Sequence, residues 1–192
     1  MTEAKRISFS ELKNWKECPY RHKLIHIDKL PYFEGNEYTA FGTAIHAVCE
    51  KILPSNSKRA LSIFEKSFSD EIKKIRESGL KLDDSLIHDM LKQAIPICNQ
   101  VLPAVKDYFG QFSVVSVEEK LLEPINEFNS YNRNFKGFID MVIKTSDDKY
   151  HIIDWKTCSW GWSRDKKSDP MTTYQLTYYK NYFSKKHNID PN

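Results

Sequence analysis

The chain is 192 residues long, one domain's worth of sequence and enough to bury a real hydrophobic core. Its 29 lysines and arginines nearly balance its 26 acids, for a net charge of +3, so it is no polycation and any nucleic acid has to be met by a local basic patch. No apolar run is long enough to span a membrane, no secretory leader is visible and the four cysteines are scattered, so the compartment to expect is a reducing cytoplasm.

In chain order, residues 8–27 read as helical with a break at Pro19, followed by a turn region from Pro31 to Asn36. The pattern from Phe41 to Leu53 predicts a helix stopped at Pro54, with Ile45, Val48, Cys49 and Ile52 as its core stripe. His46 lies beside that stripe, with Glu50 one turn further along the same face. Residues 57–78 form a charged amphipathic helix that stops at Gly79. A further helical region starts at Asp83, with Pro96 and Pro103 kinking or dividing it. Val114 to Leu122 begins a sheet, and two more strands follow at Gly137–Ile143 and Tyr150–Lys156. Thr172 to Lys185 closes the pattern as a helix with Leu176, Tyr179 and Phe183 on one side. There is no internal repeat and no low-complexity tract.

The last two strands carry an acid each. Thr145–Lys149 between them is short and polar, as a hairpin loop should be, and symmetry about Asp147 pairs Lys144 with Tyr150 and sets Asp140 opposite Asp154. Opposed residues in an antiparallel pair have Cβ atoms about 5 Å apart on one face. Two carboxylates there repel unless a proton or a cation sits between them. Lys156 points to the same face by alternation, and apolar neighbours argue for partial burial. Two acids and a lysine inside an apolar sheet make a site for a hard divalent metal. The alternative is a surface edge hairpin with Lys156 in a weak ion pair; a one-residue register slip would also part the acids. In isolation His46 reads as a satisfied core or boundary residue. After Trp160-Gly161-Trp162 comes a basic run, Arg164-Asp165-Lys166-Lys167, suited to phosphate contact, or else a solvated loop whose tryptophans pack on the core.

The order of these pieces resembles the RecB-type branch of the PD-(D/E)XK nucleases. It runs from Gly42-x-x-x-His46 through Gly137-Phe138-Ile139-Asp140 and Asp154-Trp155-Lys156 to Gln175-x-x-x-Tyr179, preceded by Ile7–Leu12 and Cys18–Arg21, so that it covers residues 7–183. The resemblance implies a restriction-endonuclease-like α/β core, a small mixed sheet flanked by helices. It implies His46, Asp140 and Asp154 as side-chain metal ligands with the Trp155 carbonyl beside them, Lys156 as the catalytic lysine, and Gln175 and Tyr179 on a helix that contacts DNA. In the strand before the glycine–aspartate motif the resemblance favours Glu118 as a further acid. Alternation instead puts Val115, Val117, Glu119 and Leu121 on one face, and neither glutamate is assigned a role. Some RecB-type nucleases hold an iron–sulfur cluster with one early and three late cysteines. Cys18 has the early position, but no cysteine follows Cys158, so no cluster is expected; Cys49 and Cys98 read as core residues.

The residue types suit the chemistry on their own account. Mg2+ takes oxygen ligands and keeps several waters, while an imidazole is better matched to Mn2+. The reaction class is metal-assisted phosphodiester hydrolysis without a covalent intermediate. The reading is a single RecB-like nuclease domain over residues 1–192, cutting DNA in repair, recombination or phage DNA processing. Exonuclease action rather than sequence-specific cleavage is what the resemblance mainly implies, with no separate recognition domain visible. RecB-type domains commonly add a strand and a helix after the Gln-x-x-x-Tyr helix, so 1–192 is either a minimal core or a fragment whose missing part covers one sheet edge. Two alternatives are a CRISPR-associated trimming nuclease and a catalytically silent DNA-binding or scaffolding module of the same fold; intact His46, Asp140, Asp154 and Lys156 argue against silence.

Overall fold

The computed structural model describes residues 5–31, 33–126, 133–159 and 161–191. Strand β1 (Lys5–Ser8) passes directly into helix α1 (Phe9–Glu17). Ser8 ends the one and starts the other: its backbone is extended and its Oγ accepts the Glu11 N–H at 3.2 Å. The break foreseen at Pro19 is real. Helix α2 (Pro19–His22) has proline in its first turn, where a missing N–H costs little, and runs into a single π-helical turn, Lys23–Ile27.

Helix α3 (Glu37–Ser55) is longer than its apolar stripe. Asn36 and Thr39 form a reciprocal cap, with the Thr39 N–H on Asn36 Oδ1 at 3.0 Å and the Asn36 N–H on Thr39 Oγ1 at 2.9 Å. Pro54 does not stop it but sits in its last turn, and Asn56 ends it in a left-handed conformation. Helix α4 (Ala60–Glu77) buries Phe64, Phe68, Ile72 and Ile75 at helical spacing. Helix α5 (Asp84–Phe109) is capped by the Asp83 carboxylate and is one helix rather than two. Pro96 and Pro103 lie on its exposed side, where carbonyls deprived of a partner are solvated.

Strands β2 (Phe112–Pro124), β3 (Arg133–Thr145) and β4 (Tyr150–Ile153) join β1 in a four-stranded mixed sheet of order β1–β3–β2, with β4 also paired to β3. Helices flank this sheet, the α/β class expected from the sequence. β1 runs parallel to β3, Ile7 beside Phe135, and β4 runs antiparallel to it. The hairpin has the expected register, Lys144 opposite Tyr150 and Met141 opposite Ile153. Its loop is closed by N–H bonds from Thr145 to the Lys149 carbonyl and from Asp148 to the Thr145 carbonyl, both 3.0 Å, with Asp148 at φ 69°.

Three expectations need correcting here. The last strand stops at Ile153 rather than Lys156, so Asp154, Trp155 and Lys156 lie beyond the ladder. Alternation along β2 is broken at Glu118, whose φ of 49° inserts a residue of left-handed backbone; Val115 is therefore 43 % exposed, off the face that holds Leu121. Glu119 is tied by its carboxylate to Lys186 and to His187, the latter at 2.9 Å. Finally, Arg164–Ser168 is not loop but a short helix, α6, capped by Ser163.

Helix α7 (Pro170–His187) begins at the cap Asp169 and ends at left-handed Asn188. It buries Tyr179, Tyr182 and Phe183, while Leu176, assigned to the core side by periodicity, is 37 % exposed.

Packing divides the chain into two compact units. One comprises Phe33–Val117 and Asp140–Thr157. Its core joins α3, α4 and α5 to Met141 and Ile143 of β3, with Phe64 and Phe68 stacked at its centre. The other comprises Met1–Tyr32, Glu118–Ile139 and Cys158–Asn192. There Phe135 of β3 gathers the α7 rings, stacking on Tyr182 at 4.4 Å and meeting Tyr179 edge-on at 6.4 Å. Gly137, two residues along, makes room for Tyr179: a Cβ there would come within 2.8 Å of the Tyr179 ring and 3.0 Å of the Phe135 ring. No helix among the described residues is long and apolar enough to cross a membrane. Both rings are packed, so Gly137→Ala should cost about 1–3 kcal/mol of stability by overpacking, read from the denaturant midpoint. An unchanged midpoint would show that the tyrosine seat is not a constraint.

Candidate active site

Asp140 interrupts an otherwise apolar buried run, Ile139 to Ile143, and is itself only 9 % exposed. Its Oδ2 accepts the backbone N–H of Trp155 at 2.6 Å. That bond replaces the next rung of the hairpin ladder, which explains why strand pairing ends where it does. His46 of α3 faces the same oxygen, with Nδ1 3.6 Å from Oδ2, close enough for charge interaction but too long for a hydrogen bond. Burial is the main influence on the Asp140 carboxyl and pushes its pKa up. The Trp155 N–H and His46 oppose this, the Asp154 carboxylate adds to it, and Lys156 opposes it more weakly. Cys49, one turn from His46 on α3, is buried, and its thiol is pushed up to about 12, first by that burial and then by Asp140. It is an inert part of the site's wall.

The segment after β4 holds its place without strand pairing. The Trp155 indole packs on the α3–α5 core, and its Nε1 is buried without a hydrogen-bond partner. Lys156 Nζ lies 2.5 Å from Asp154 Oδ2; the acid is mostly covered and the lysine reaches water. Thr157 sits against α3 at Gly42, where an added Cβ would come within 3.2 Å of Thr157 Oγ1. Sequence reasoning did not find Thr157; the available signal was a glycine placed inside a helix.

The structure thus gathers His46, Asp140, Asp154, Trp155 and Lys156 within one unit. Gln175 and Tyr179 form a pair of their own on α7, where Gln175 Nε2 donates to the Tyr179 hydroxyl at 3.1 Å. Tyr179 is buried, 6 % exposed. Arg164, Lys166 and Lys167 are exposed on α6, and Trp162 is exposed before it; Trp160 lies outside the described residues. Glu118 is exposed at the irregularity in β2.

A family profile for the PD-(D/E)XK nuclease superfamily matches residues 6–190. The chain belongs to that superfamily. No curated protein matches it. PD-(D/E)XK proteins are nucleases, phosphodiester hydrolases that generally use divalent metals such as Mg2+ or Mn2+. Among the described residues no three His, Cys, Asp or Glu side chains converge closely enough to ligate one ion as they stand. The donor chemistry of the cluster nonetheless fits such an ion: two carboxylates in electrostatic contact, one of them buried, with an imidazole beside it.

The raised carboxyl of Asp140 has a consequence for stability. A folded pKa above the ordinary 3.8 means that the folded protein favours the neutral acid. Its contribution is complete below the unfolded value and is lost as pH rises through the folded one. Asp140→Asn is neutral at every pH and keeps the acceptor for Trp155. In EDTA it should melt above the parent at neutral pH, the gap closing as pH falls towards about 4. Equal melting temperatures across that range would mean that the buried charge is not a strain on the fold.

Proposed function

We propose that the chain is a metal-dependent deoxyribonuclease of the RecB type, acting as an exonuclease in the cytoplasm on DNA being repaired, recombined or processed in phage replication. The observation that carries this reading is the buried Asp140 carboxylate, with His46 and the Asp154–Lys156 pair in electrostatic reach. In this reading His46, Asp140, Asp154 and the Trp155 carbonyl would hold Mg2+ or Mn2+. When bound, such an ion supplies charge neutralisation at the scissile phosphate and a more acidic water. The Trp155 N–H keeps Asp140 turned inward, so the carboxylate is oriented before any ion arrives. Lys156 orients the attacking water or meets the charge that develops on the phosphate oxygens. Gln175, its amide held by the Tyr179 hydroxyl, contacts DNA, and Arg164, Lys166 and Lys167 meet phosphates.

End-labelled single- and double-stranded DNA, incubated with Mn2+ or with EDTA, tests this. The parent should shorten DNA from its ends with Mn2+ only, and Asp154→Asn or Lys156→Ala should reduce the rate about 100-fold or more while folding normally. Folded variants that cut like the parent would remove the site.

A further inference from the structure

Glycine is among the poorest residues for a helix interior, and Gly42 stands well inside α3. Its backbone does not ask for glycine, because it is not among the residues with positive φ. What it lacks is space. Among the described residues, and apart from its chain neighbours and the backbone of its own helix, the one neighbour within 4 Å of an added Cβ is Thr157 Oγ1, at 3.2 Å. Thr157 directly follows Lys156, and Gly42 lies one helical turn before His46 on the same side of α3.

We propose that Gly42 is a positioning residue: its missing side chain sets the distance between the helix that carries His46 and the segment that carries Asp154, Trp155 and Lys156. Thr157 is exposed but β-branched, with few χ1 rotamers open to it, so an added methyl has to displace either its hydroxyl or the segment that carries it. Two residues earlier the segment is tied down by the Trp155 indole, packed on the α3–α5 core, and by the Trp155 N–H bond to Asp140. A methyl at residue 42 therefore pushes Lys156 and its neighbours away from His46 by a few tenths of an ångström. Helix stability alone predicts the opposite sign of benefit, since alanine suits the helix better.

The activity readout of the test rests on the nuclease reading above. The parent, Gly42→Ala, Thr157→Ala and the double variant are compared by melting in EDTA, by calorimetric Mn2+ titration and by DNA cleavage. Gly42→Ala should melt at or above the parent, yet bind Mn2+ and cut DNA about tenfold more weakly. Thr157→Ala removes the obstructing oxygen, so the double variant should match Thr157→Ala alone in both readouts. Gly42→Ala with the parent's Mn2+ affinity and rate would overturn the proposal, as would a double variant no better than Gly42→Ala. A parent that neither binds Mn2+ nor cuts DNA would overturn the nuclease reading itself, and the proposal with it.

Discussion

A carboxylate placed inside an apolar strand is the constraint around which this structure is arranged. Asp140 is flanked by Ile139 and Met141, both fully buried, and an isolated charge there is costly. Its Oδ2 receives the Trp155 N–H, and His46 and Lys156 bring positive or potentially positive groups into electrostatic reach. Those partners come from a helix and from the segment after β4, and each opposes the upward push that burial gives the Asp140 carboxyl. Asp154 works against the balance, adding a second negative charge. The site therefore holds an excess of acid that folding alone does not need, and that a hard divalent cation would relieve.

Each compact unit has a close approach that a glycine permits. Gly42 lets Thr157 lie against α3, and Gly137 lets the Tyr179 ring lie on β3. In each pair the glycine comes from one recognisable motif, and its neighbour lies in or directly after another. Motifs distant in sequence are thus joined by contact. The Tyr179 hydroxyl extends this on α7 by accepting from the Gln175 amide, so a buried ring and a half-buried polar group act as one piece.

Much of this was legible in the sequence. The hairpin register followed from two apolar runs about a polar loop, and the amphipathic stripes located α3 and α4. The end of β4 was not legible, because the Trp155 N–H bonds to a side chain instead of the opposite strand. The inverted face of β2 follows from one left-handed residue, Glu118, whose type gives no hint of that conformation. Strand β1 is four residues of weak pattern that pair only because β3 is there. Leu176 did not keep its expected place on the buried side of α7, where Tyr182 stacks on Phe135 instead. At the site, residue identity was readable from motif order, whereas the contacts that orient those residues depend on tertiary packing.

The most direct test of the central claim is the melting temperature as a function of Mn2+ concentration, for the parent and for Asp140→Asn. Binding to the folded state alone raises the melting temperature with ligand concentration. If the buried carboxylate is the seat of the ion, the parent's melting temperature climbs with added Mn2+ and that of Asp140→Asn stays flat. A parent that does not respond, or a variant that responds equally, would contradict the account.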